Sequence, residues 1–239
     1  MTSKSATLAE LGWLPFLDEL ALRRISYFHH LRQMDDSRIC KQVFNELEQL
    51  HTNEKVFNYF ECIQTILNNK GMDFMLHENQ FNLQGFKDTV KACYREKFTE
   101  DICNQPSMRL FKNVISSTDC SPYLLANYPY ECIKIKCKLR LGIAGIGEDL
   151  YRQHRDRGDC KSCGAFENLR HLLFECPVYN SDRSIFLKNI HTSIGDKLFN
   201  VFYQDLDFAV LCVLGDHDDT FNKHFMSYIS KVWEKRRAL

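Results

Sequence analysis

Cys160, Cys163, His171 and Cys176 follow one another as Cys-x2-Cys-x7-His-x4-Cys. Zinc takes four sulfur or imidazole ligands in a tetrahedron, and a Cys-x2-Cys turn supplies two sulfurs about 2.3 Å from the ion. Lys161, Ser162 and Gly164 suit such a turn. His171 is expected in the first turns of a helix whose end carries Cys176, because Pro177 keeps the residue before it out of helical space. Five residues of regular helix rotate a side chain by about 500 degrees, so the turn must unwind near Cys176 for both ligands to reach one ion. Leu172, Leu173 and Phe174 would pack this knuckle onto the body.

Eleven cysteines make one Cys-x2-Cys pair unremarkable, but a His and a further Cys at permitted spacings reduce chance to on the order of one in a hundred. A redox pair would follow a buried strand, whereas polar Arg155-Asp156-Arg157-Gly158-Asp159 comes first. Four protein ligands leave no open position for water, so the expected zinc is structural rather than catalytic. The remaining cysteines, such as Cys62, Cys93 and Cys212, lie singly in apolar periodic stretches and read as reduced core residues.

Ten glycines, five prolines and apolar residues recurring at three and four places predict a mainly α protein carrying a small CCHC zinc knuckle in its C-terminal half. After the apolar loop Leu11-Gly12-Trp13-Leu14-Pro15-Phe16, helices are expected over about 18–34, 37–49, 54–68 and 85–103. The third carries Val56, Phe57, Phe60, Ile63 and Leu67, and Gly71 ends it. Ile133, Ile135 and Cys137 alternate with Lys134, Lys136 and Lys138 in a strand pattern, although a helix also suits Cys132, Lys136, Leu139 and Arg140. Short helix is expected over about 148–155, then 181–190 and 218–237. The periodic pattern lapses between Ser116 and Tyr130, the expected boundary.

With 31 basic and 31 acidic side chains, the chain has no overall charge with which to attract phosphate, so any nucleic-acid surface must be local. No window is apolar enough for a membrane span, and the start leads into no signal-type apolar core. The expectation is a nuclear or cytoplasmic protein that is not secreted.

Leu139-Arg140-Leu141-Gly142, Leu150, Tyr151 and the array ending His171-Leu172-Leu173-Phe174-Glu175-Cys176-Pro177 together resemble the zinc-binding region at the C-terminal end of non-LTR (LINE-type) retrotransposon reverse transcriptases. The match covers about 133–183. Less specifically, Leu11 to Phe16 and the Arg-bearing helix after them resemble the segment that follows the polymerase thumb. On this resemblance 1–115 is a helical post-thumb region, 131–190 a reverse-transcriptase-type zinc-binding domain and 191–239 a set of C-terminal helices. It implies a grip on RNA, single-stranded DNA or target DNA. It does not imply polymerisation, since no Tyr-x-Asp-Asp stretch occurs and Asp35-Asp36 and Asp218-Asp219 lack a flanking hairpin. No spaced carboxylate set suggests a nuclease, and no small-molecule substrate is expected.

Arg140, Arg152, Arg155, Arg157, Lys161 and Arg170 are the candidate nucleic-acid contacts, with Tyr151 or Phe166 able to stack on an unpaired base. Against this, Glu148, Asp149, Asp156, Asp159, Glu167 and Glu175 offset the cations, which then read as ordinary solvated positions. Arg140 can also cap a helix or pair with Glu148. A protein-interaction or purely structural module, or an inactive element remnant, is the alternative, with zinc only closing the fold. His29-His30 and the pair His217 and His224 have no partner at ligand spacing. Lys235-Arg236-Arg237 suits either an import signal or the negative end of its helix.

Overall fold

The apolar repeat at three and four places is realised as helix in the computed structural model, which describes residues 4–54, 59–72, 82–105, 108, 110–115, 117–215 and 219–238. Among these residues there is no strand; Asp159 and Phe166 form an isolated antiparallel bridge. No described helix is long and apolar enough to cross a membrane. The chain divides into two compact units, residues 14–97 and residues 1–13 with 98–239. The stretch 117–130, where the periodic pattern lapses, lies inside one of these units.

The unit 14–97 is built on α2 (Phe16–Gln33), α3 (Ile39–Glu54), α4 (Tyr59–Asn68) and the first part of α5 (Leu83–Cys103), with α1 (Lys4–Glu10) belonging to the other unit. Its core is Ile25, Phe28, Leu31, Phe44, Phe60, Ile63, Leu67, Phe86 and Val90. The Phe44 and Phe60 ring centroids are 4.9 Å apart, and Phe60 meets Phe28 edge to face at 5.8 Å. Each such ring or aliphatic chain contributes about 1.5–3 kcal/mol by leaving water. Val56 and Phe57 lie outside the described residues. Trp13 and Phe16 are exposed, so the loop they frame is not held by burial of its own aromatic rings.

In the other unit the short helices α6 (Phe111–Val114) and α7 (Pro122–Leu125) precede α8 (Tyr130–Arg140), α9 (Gly147–Arg152), a π-helical turn (His171–Glu175), a 3-10 turn (Pro177–Tyr179), α10 (Asn180–Gln204), α11 (Leu206–Leu214) and α12 (Asp219–Ala238). The strand-like alternation around Ile133 to Lys138 is helical. Cys132, Ile135, Lys136, Leu139 and Arg140 form the buried face of α8, the three-and-four spacing of one helix stripe. The period-2 reading fails because it treats Lys136 as solvated, when Lys136 is buried.

Gly195 departs from helical geometry inside α10, at φ 76. Asp205 starts α11, its carboxylate accepting from the amides of Asp207 and Phe208 at 3.0 Å.

Candidate metal centre

The first two candidate ligands sit on a hairpin closed by its own backbone. Cys160 N–H donates to the Ala165 carbonyl at 2.6 Å, Gly164 N–H to the Cys160 carbonyl at 2.9 Å, and Glu167 N–H to the Gly158 carbonyl at 2.7 Å. Gly164 follows Cys163 at φ 76, the left-handed conformation that closes such a turn. At the hairpin base Gly147 passes so close that a Cβ there would fall 2.2 Å from the Gly158 oxygen.

The other two ligands lie across a widened turn. Asn168 caps its start, the side-chain oxygen accepting from His171 N–H at 2.7 Å. Cys176 N–H then donates to the His171 carbonyl at 2.8 Å, a five-residue hydrogen bond. An α-helix leaves residues five apart about 140 degrees past a full turn, whereas the π-type bond places residue 176 over residue 171. This is the loosening that the His-x4-Cys spacing requires. Pro177 has no N–H to offer the Leu173 carbonyl, and Tyr228 of α12 donates its hydroxyl there instead, at 2.7 Å.

The four ligand atoms lie within 4.8 Å of one another. Cys160 Sγ and Cys176 Sγ are 3.9 Å apart, and Cys163 Sγ and His171 Nε2 3.3 Å. Cys160, His171 and Cys176 are buried and Cys163 exposed. Burial opposes ionisation of Cys160, but the Ser162 and Cys163 amides and the His171 ring bring its thiol down to about 6. Burial pushes the Cys176 thiol up to about 11, reinforced by Cys160 against a hydrogen bond from the Val178 amide. A metal ion displaces the protons of such thiols when it binds, and three sulfurs and an imidazole nitrogen converging in this way could hold one.

The candidate nucleic-acid residues are not brought together as one patch. Arg140 belongs to the interior. Its side chain is fully buried, Nε lies 2.8 Å from Glu10 Oε1, Nη2 is 3.0 Å from Glu10 Oε2, and Nη1 donates to the Leu214 carbonyl at 2.5 Å. Its partner is thus Glu10 rather than Glu148, and it takes no part in a surface. Arg152 is exposed but paired with Asp149 at 3.1 Å, and Arg170 with Glu175 at 2.6 Å. Arg155, Arg157 and Lys161 are exposed on the loop leading into the hairpin and at its tip. Tyr151 and Phe166, both exposed, meet edge to face at 5.7 Å.

The terminal basic triplet is engaged within the unit: Lys235 with Asp182, Arg236 with Glu167 and Arg237 with Glu131. His224 bonds Ser193 at 2.9 Å, and His217 lies outside the described residues.

Sequence reasoning missed two supports. Glu167 counted only as an offsetting charge, yet it is buried and accepts from Arg236 and from the Gly147 amide. Tyr228 is one aromatic in the buried stripe of α12, and nothing in the stripe marks which ring will meet a carbonyl.

Fold and cluster together define a helical protein with a Cys3His cluster that could hold a metal ion. Compared with known proteins, the chain matches no family model, and no curated protein or solved structure is similar to it.

Proposed function

We propose that Cys160, Cys163, His171 and Cys176 bind one structural zinc ion, and that the chain is a nonenzymatic module holding RNA or single-stranded DNA beside that site. The convergence of the four ligand atoms carries the zinc assignment. A tetrahedral zinc ion needs sulfur–sulfur edges of about 3.8 Å and sulfur–nitrogen edges of about 3.6 Å, against 3.9 and 3.3 Å here. Soft thiolates with one imidazole favour zinc over the oxygen-seeking cations. The resemblance to the zinc-binding region of LINE-type reverse transcriptases supports the nucleic-acid reading, as do the exposed cations Arg155, Arg157 and Lys161, which form no ion pair among the described residues, and the exposed rings of Tyr151 and Phe166.

Native mass spectrometry of the purified chain tests the first half: one zinc per chain is expected, lost in Cys160→Ser. Titration of the zinc-loaded protein with single-stranded RNA and DNA tests the second. If three cations contact phosphate, log K should fall with log salt with a slope of about −2. Replacing Arg155, Arg157 and Lys161 together by Ala should abolish that slope. A folded, zinc-loaded protein that binds neither strand leaves a structural or protein-interaction module. The pairing of Arg152, Arg170 and the terminal basic triplet with carboxylates favours that second reading.

A further inference from the structure

We propose that Arg236, on the last turns of α12, is a positioning residue of the metal centre, acting through Glu167. The inference rests on the reading that Cys160, Cys163, His171 and Cys176 hold a metal ion.

Glu167 joins the two halves of the ligand set. Toward the hairpin its N–H bonds the Gly158 carbonyl, two residues before Cys160, and its carbonyl accepts from Glu148 N–H at 2.8 Å. Toward the widened turn it precedes Asn168, the residue that caps His171. Wherever the Glu167 backbone is held, both the hairpin end and the histidine start are held.

The Glu167 side chain is held by a fork. Arg236 Nε and Nη2 donate to its two oxygens, each at 2.9 Å, and Gly147 N–H adds a third bond at 2.7 Å. The same Nη2 donates to the Gly145 carbonyl at 2.9 Å, and the guanidinium lies over the Trp233 ring at 5.2 Å. Glu167 is 5% exposed, so this pair is shielded from the screening that weakens surface ion pairs. A hairpin this short has little core of its own, and the bidentate geometry fixes a direction as well as a distance. Lys235, one residue earlier, pairs with Asp182 on α10 instead and does not reach the hairpin.

The test is zinc affinity of the full chain, measured at fixed pH by competition with a chromophoric chelator. Arg236→Met is expected to bind zinc about ten- to hundredfold more weakly, the range for lost outer support of a metal ligand. Arg236→Lys, which keeps the charge but not the fork, should fall between. Lys235→Met should bind like wild type. At saturating cobalt(II), Arg236→Met should still give the tetrahedral absorption bands, because its ligands are intact. A merely structural role for Arg236 would lower the melting temperature and leave affinity unchanged.

Zinc affinity of Arg236→Met within twofold of wild type overturns the proposal. If Arg236→Met does not fold, Arg236→Lys and Glu167→Gln decide on the same criterion. A folded wild-type chain that takes up no zinc sinks the metal reading itself, and the proposal with it.

Discussion

Each nitrogen of the Arg140 guanidinium faces an acceptor of the protein's own interior: Glu10, Ser121 or the Leu214 carbonyl. Lys136, one turn earlier, is satisfied in the same way by the Val213 and Gly215 carbonyls and Asn222 Oδ1. Tyr123 lies under both cations and gives its hydroxyl to Glu10. Burial and the adjoining Glu10 carboxylate push its phenol far above the usual range. Removing one member of a buried pair leaves the other uncompensated, a cost of about 3–5 kcal/mol. Arg140→Met should therefore lose about that much stability in urea unfolding, with nucleic-acid affinity of the folded fraction unchanged. The reverse pattern would return Arg140 to the surface. Nothing near Arg140 in the sequence points to Glu10, because the pair closes over a separation of 130 positions.

The turn from His171 to Glu175 is the element on which the site depends most, and part of it was legible. The His-x4-Cys spacing, set against 3.6 residues per turn, requires a departure from α geometry before Pro177, and the π turn is that departure. Its repair was not legible, since Tyr228 lies 55 positions from the carbonyl it serves. Tyr228→Phe should cost about 1–3 kcal/mol by leaving the Leu173 carbonyl buried and unpaired. Thermal melts of the zinc-loaded protein would measure it, and a loss under about 0.5 kcal/mol would mean that another donor replaces the hydroxyl. Among the other helices, α3 and α4 carry the apolar period most clearly, whereas α11 offers little of it. Its sequence Leu206-Asp207-Phe208-Ala209-Val210-Leu211-Cys212-Val213-Leu214 is apolar nearly all round, and such a segment has no stripe to count. The helix expected to end near Ile190 runs on to a break at Gly195 and resumes beyond it, to Gln204.

For the whole molecule, composition was a sound guide to class and a poor one to surface. A balance of 31 basic and 31 acidic groups says only that charges can pair. Which ones do so is a matter of tertiary placement, as the terminal basic triplet shows. The division into units was equally hidden, since Met1–Trp13 is separated along the chain from the unit to which it belongs. That placement has a consequence in time. During synthesis, all of residues 14–97, the whole of one unit, are made before Arg140 exists. α1 cannot wait as a helix, because seven residues are too few to be stable alone. Glu10 cannot meet its native partners until Arg140 and the Leu214 carbonyl have been made, so α1, the first helix among the described residues, is among the last to be fixed.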